Sequence, residues 1–147
     1  MTDVDLIRGS WRLVSFEARR SSGEIAEPFG PDADGVLTYS PDGRVSVAVW
    51  AAGRRRFTLE DPAKGTAEEN AAALSTIVQY VGTYEVDPAG SAVVHHVEQS
   101  VFPNWNGVDQ VRYYSLSADS LELTTPPIEF KGETLVSALV WRRISSL

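Results

Sequence analysis

Val78-Gln79-Tyr80-Val81-Gly82-Thr83-Tyr84-Glu85-Val86 and Ala92-Val93-Val94-His95-His96-Val97-Glu98-Gln99-Ser100-Val101 flank the cluster Asp87-Pro88-Ala89-Gly90. Each run is long, β-branched and aromatic, and the cluster between them is turn chemistry, so the stretch reads as two antiparallel strands. Side chains alternate across a strand. Val78, Tyr80, Gly82, Tyr84 and Val86 therefore share one face, and Val93, His95, Val97 and Gln99 share one face of the next strand. Val94, His96, Glu98 and Ser100 take the opposite face. His95 sits between two valines and is expected to point inward.

The same pattern repeats in both directions. Upstream, strands are expected at Trp11 to Glu17, Gly35 to Ser40 and Arg44 to Ala51, with a weak one at Arg55 to Leu59. Ser21-Ser22-Gly23 ends the first, and a Pro- and Gly-rich loop runs from Glu27 to Asp34. Pro41-Asp42-Gly43 marks a tight turn, with proline presetting one backbone angle and glycine accepting a positive one. Thr66-Ala67-Glu68-Glu69 changes the period. The threonine hydroxyl can cap exposed amides and the carboxylates suit the helix dipole, so a short helix is expected to about Thr76. Downstream, strands follow at Gln110 to Leu116, Leu121 to Thr125 and Thr134 to Ile144. The total is roughly eight or nine strands, about the number that closes a barrel around one small ligand.

Composition narrows the function classes. The 147 residues fit a single domain, 1–147, with 43% hydrophobic and 22% charged residues. There is no cysteine, which removes disulfides, thiolate metal sites and cysteine nucleophiles. The net charge of −7 argues against nucleic acid as partner. No run of about eighteen apolar residues suggests a membrane span. The start, Met1 to Asp5, is acidic and lacks a secretory pattern, so the expected location is the cytoplasm. A monomer or homodimer is expected.

Gly9-Ser10-Trp11-Arg12-Leu13 is similar to the Gly-x-Trp opening of lipocalin-type barrels. Gly35-Val36-Leu37-Thr38-Tyr39, Gly82-Thr83-Tyr84-Glu85-Val86-Asp87 and His95-His96-Val97-Glu98-Gln99-Ser100 resemble a family of bacterial and fungal lipocalin-like domain proteins. So do Phe102-Pro103-Asn104-Trp105-Asn106-Gly107, Gln110-Val111-Arg112-Tyr113-Tyr114 and Leu139-Val140-Trp141-Arg142-Arg143. These landmarks run from Gly9 to Arg143. The resemblance implies an all-β, closed, antiparallel, up-and-down barrel of eight to nine strands with one short helix. It implies ligand carriage in general, while some related barrels act as cyclases or isomerases in natural-product pathways. It also implies an arginine stacked on the opening tryptophan, here Arg143 on Trp11.

Several expected inner faces mix apolar residues with single polar groups, as a ligand cavity requires. The expected lining is Tyr39, Tyr84, His95, Trp105, Arg112 and Tyr114, with Trp105 near a rim. His95 could hold a ligand or move a proton, or be a core histidine bonded to a tyrosine or arginine. Arg112 could face an anionic or carbonyl group, or be paired with Glu98 or Glu85. His95 and His96 point to opposite faces and cannot chelate one metal together, so neither a metal nor a cofactor is expected. Arg54-Arg55-Arg56 reads as a solvated turn rather than an anion-attracting mouth. No Gly-x-Ser-x-Gly motif, phosphate loop or dinucleotide fingerprint is present. Two functions follow: a barrel that binds a small apolar or aromatic molecule, or a cofactor-independent cyclase or isomerase with His95 and Arg112 as catalytic groups.

Overall fold

A computed structural model describes residues 1–130 and 132–145. Ten strands form one antiparallel sheet that closes on itself. They are β1 (Gly9–Arg19), β2 (Ile25–Ala26), β3 (Asp34–Tyr39), β4 (Arg44–Trp50), β5 (Ile77–Asp87), β6 (Ala92–Ser100), β7 (Asp109–Leu116), β8 (Ser120–Thr124), β9 (Ile128–Phe130) and β10 (Glu133–Ser145). Eight of them make the barrel, in the order β1-β3-β4-β5-β6-β7-β8-β10, and the pairing of β10 with β1 closes it. The short strands β2 and β9 extend β1 and β10 beyond the ring. Closure leaves the eight barrel strands without a free edge between them.

The weak strand expected at Arg55 to Leu59 does not form: residues 51–61 are irregular. The reason lies in the cap of the second helix. Helix α2 (Ala67–Ser75) begins with a full capping box, Thr66 Oγ1 accepting from Glu69 N at 3.1 Å and Glu69 Oε1 accepting from Thr66 N at 3.0 Å. The other Glu69 oxygen accepts from Thr58 N and Thr58 Oγ1, at 2.8 and 3.1 Å. Those bonds tie the segment to α2, and β4 already pairs with β5 along its length. Another helix, α1 (Asp3–Ile7), the first in the chain, forms where no helix is expected from the sequence. It too has a capping box, between Thr2 and Asp5.

The chain's up-and-down course gives the barrel two unlike ends. The tight turns at Ser40–Arg44, Asp87–Ser91 and Ser117–Ser120 gather at one end, where α1 also packs. There Ile7 is fully buried, and Trp11 Nε1 donates to Ile7 O at 2.9 Å. Arg143 lies over the Trp11 ring, 4.1 Å from its centroid, as the family resemblance implied. The longer connections, carrying α2, the 3-10 turn Pro103–Trp105 and Phe29, lie at the other end.

One glycine sets the register of the inner wall. The β5–β6 ladder shifts between Val81 and Gly82. A Cβ on Gly82 would sit 2.0 Å from the His96 carbonyl oxygen, so only glycine permits this approach. Beyond the shift, Tyr84 pairs with His95.

Candidate functional site

Alternation turns one face of each strand inward and builds a column of rings down the barrel. Tyr84 and Tyr39 meet edge to face at 4.8 Å between centroids, as do Tyr80 and Trp105 at 6.1 Å, while His95 lies tilted to Tyr39 at 5.5 Å and to Tyr80 at 5.7 Å. Tyr84 is nearest the α1 end, where its hydroxyl donates to Ser40 O at 2.9 Å. Trp105 is nearest the open end, on the turn after β6.

His95 is 1% exposed, and both of its ring nitrogens are engaged. Nε2 lies 2.7 Å from the Tyr39 hydroxyl, and Nδ1 lies 2.5 Å from the Tyr80 hydroxyl. Burial, with the Arg112 cation nearby, drives its pKa down to about 3. The imidazole is therefore neutral near pH 7, donating through one nitrogen and accepting through the other. Burial also raises the phenols of Tyr39 and Tyr80, so both stay protonated.

Arg112 is buried on β7. Its guanidinium donates to Val111 O at 2.9 Å and sits beside the Tyr80 hydroxyl. Among the described residues no carboxylate pairs with it. The two carboxylates expected as partners are engaged elsewhere: Glu98 with Arg44 at 2.9 Å, and Glu85 with His96 at 3.5 Å. Both lie on outward faces because their strand positions alternate with the inward ones.

These groups meet at a cavity of about 70 Å³ inside the barrel. Tyr80, His95 and Arg112 line it on one side, and Thr125, Ser137 and Trp141 also border it. The rest is aliphatic or aromatic, including Leu37, Val47, Leu139 and Phe16. Room on this scale holds roughly two water molecules at liquid density. Trp105, Phe130 and Val78 line the cavity and also an outer apolar vestibule of about 300 Å³ against Phe29, Leu74 and Phe102. Phe16, Phe29 and Phe130 pack edge to face around this mouth.

Of the residues expected from sequence, His95, Arg112 and Trp105 come together at the cavity. Tyr39 stands behind His95 rather than on the wall. Tyr84 and Tyr114 lie outside the lining, because each spends its hydroxyl at the α1 end. Tyr114 donates to Asp3 at 2.6 Å, and burial with that neighbour pushes its pKa up to about 12. Tyr80 and Trp141 are cavity residues the sequence reading passed over. Tyr80 was detectable, since it shares Tyr84's face four residues nearer the open end. His96 points outward to Asp109 at 2.6 Å. Arg54 caps α2 at Ala73 O and Thr76 Oγ1, and Arg55 and Arg56 make exposed pairs with Glu68 and Glu60. The triple arginine is thus a solvated surface feature. Among the described residues, no group of three or more His, Cys, Asp or Glu could hold a metal ion.

The family of lipocalin-like domains matches residues 8–144. The chain belongs to that family. A curated relative, the 4'-hydroxy-3'-methoxypropiophenone carrier protein ppsC of Aspergillus oryzae, is 33% identical over 110 residues, spanning 70% of this chain and 99% of the relative. Together with the closed barrel and its apolar cavity, this makes the lipocalin-like chain a small-molecule-binding barrel. No helix among the described residues is long and apolar enough to cross a membrane.

Proposed function

We propose that the barrel takes up a small aromatic molecule and carries it unchanged. The observation that carries this reading is the apolar cavity with one buried cation on its wall. Arg112 has no carboxylate partner among the described residues, and a buried charge needs a partner. An oxygen of the ligand supplies one, while the ring, too large for a cavity of about 70 Å³, lies past Trp105 in the vestibule of about 300 Å³. The cargo in the relative's name, an aryl ketone with phenolic and methoxy oxygens, has this chemistry. We carry it to this chain as a substrate class in secondary metabolism.

His95 supports carriage over catalysis. Its imidazolium is not populated near neutral pH, and its two nitrogens are already spent on Tyr39 and Tyr80. A general acid or base needs a titrating group within reach of the reacting atom. One observation favours the second reading, a cofactor-independent cyclase or isomerase. The Tyr80 hydroxyl, lying between His95 and Arg112, is a phenol placed to hand over a proton.

Calorimetric titration with 4'-hydroxy-3'-methoxypropiophenone separates the two. Carriage gives one site per chain, an unaltered ligand on recovery, and about tenfold weaker binding in Arg112→Met, the size of one hydrogen bond to a charged group. His95→Ala leaves the Tyr39 and Tyr80 hydroxyls without their partner and so weakens binding indirectly, by roughly 1 kcal/mol. Conversion of the ligand, cut about a hundredfold by His95→Ala with binding retained, contradicts carriage and supports the enzyme.

A further inference from the structure

Arg112 is 9% exposed and lines the inner cavity, and its guanidinium is only partly employed. Nη1 donates to Val111 O at 2.9 Å. The edge formed by Nε and Nη2 has no acceptor in hydrogen-bond geometry among the described residues. Among those residues, the buried side-chain nitrogens that are both sealed from water and unpaired are Arg8 Nε and Trp141 Nε1. The free edge of Arg112 is not sealed in this way, so a group the size of water can reach it.

The same chain shows what such an edge binds. Arg12 offers its Nε and Nη2 to the two carboxylate oxygens of Asp34, the paired grip that a planar guanidinium makes best. No carboxylate lines the inner cavity among the described residues. Glu129 lines only the vestibule, where it accepts from Thr134 Oγ1. Tyr39, Tyr80 and neutral His95 carry three polar hydrogens and share two hydrogen bonds. With the imidazole proton on Nδ1, the Tyr80 hydroxyl has one hydrogen to give beside the guanidinium. Size divides the ligand. The inner cavity of about 70 Å³ admits a small planar group, whereas a benzene ring needs roughly 150 Å³, which the vestibule of about 300 Å³ supplies.

We infer that the barrel prefers aromatic acids, with an ionised carboxylate on the Nε–Nη2 edge of Arg112 and a short spacer leading past Trp105 to a ring in the vestibule. This rests on the binding reading above and goes beyond it, because the cargo in the relative's name has no carboxylate. A ketone carries no charge to offset the buried cation. A carboxylate meets both edge donors and supplies the missing counter-charge.

Benzoate, phenylacetate and 3-phenylpropanoate are paired with acetophenone, 1-phenylpropan-2-one and 4-phenylbutan-2-one, which carry a methyl group in place of the ionised oxygen. Dissociation constants are measured by calorimetry on the whole protein at pH 7 and about 0.15 M salt, where exposed charges are largely screened. At the spacer length that fits, the acid should bind at least tenfold tighter than its ketone. Arg112→Lys keeps the charge without the fork and should cut that ratio about fivefold. A second measurement needs the wild type alone. The titratable groups beside Arg112 on the cavity wall, Tyr80 and His95, each keep one protonation state between pH 7 and 5.5, and His96 faces outward. Affinity for the acid should therefore change less than about twofold over that range, whereas uptake of the protonated acid would raise it about tenfold per unit as pH falls. That rise, failure of all three acids to bind, ketones at least as tight as acids at every spacer length, or an unchanged ratio in Arg112→Lys overturns the inference. Carriage then still stands if 4'-hydroxy-3'-methoxypropiophenone binds. Failure of that ketone and of all six probes overturns the carriage reading and this inference together.

Discussion

The guanidinium of Arg143 lies 4.1 Å from the centre of the Trp11 indole and donates to three backbone carbonyls, Leu6, Arg8 and Ala118. One side chain thereby joins β10, β1, the β7–β8 turn and the end of α1. Arg143→Ala removes the cation–π contact and leaves those carbonyls to water or to nothing. The expected loss is about 2–3 kcal/mol, read as a lower urea midpoint with an unchanged slope. Arg143→Lys should recover less than half of it, because a point charge cannot reach three acceptors in a fork.

Gly82→Ala places a methyl group 2.0 Å from the His96 carbonyl oxygen. Backbone cannot move aside as a flexible side chain can, so β5 and β6 must part or slip. A loss of about 2–3 kcal/mol is expected in chemical denaturation. Ligand affinity should fall too, because the ladder beyond Gly82 places His95 against Tyr84.

His95 makes stability depend on pH. Its folded pKa, about 3, lies below the ordinary 6.5. Between those values the unfolded chain binds a proton that the fold excludes, so stability falls as pH drops below 6.5. The slope approaches about 1.4 kcal/mol per pH unit. His96, raised by Asp109, has the opposite sign: its contribution is present at low pH and fades as pH rises. Comparing wild type with His95→Gln between pH 6.5 and 5 isolates the His95 share, above the range where carboxylates titrate. The melting temperature of the variant should fall less steeply over that range, and parallel curves would contradict the buried neutral imidazole.

Trp105 separates the cavity from the vestibule without being fully buried. Trp105→Ala should open the mouth, raising the ligand's dissociation rate about tenfold with little change in association. Stopped-flow displacement reads both rates. A tenfold slower association at an unchanged dissociation rate would contradict the placement.

Much of the barrel was legible because its signals are local. Alternation in Tyr80–Val86 and Val93–Gln99, the Pro41-Asp42-Gly43 turn and the Thr66 cap each act within a few residues. The error at Arg55–Leu59 had a tertiary cause: Glu69, eleven residues from Thr58, binds that segment's backbone. Helix α1 has only five residues, too few for a period, and it is held by Trp11, Arg143 and Tyr114. The site was half legible. His95 and Arg112 stood out as polar residues on apolar faces. Which tyrosines keep their hydroxyls for the cavity depends on partners far along the chain, Ser40 for Tyr84 and Asp3 for Tyr114. An unpaired indole such as Trp141 leaves no mark in a sequence at all.

The four tryptophans sit in four different places: Trp11 at the α1 end, Trp50 away from the cavity, Trp105 at the mouth and Trp141 on the cavity wall. Their indole N–H resonances therefore locate a bound ligand. In a titration of ¹⁵N-labelled protein with 4'-hydroxy-3'-methoxypropiophenone, the Trp141 and Trp105 signals should shift to saturation at one ligand per chain, with Trp11 and Trp50 unmoved. Saturable shifts confined to Trp50 or Trp11, or no shift of any of the four, would contradict binding inside the barrel.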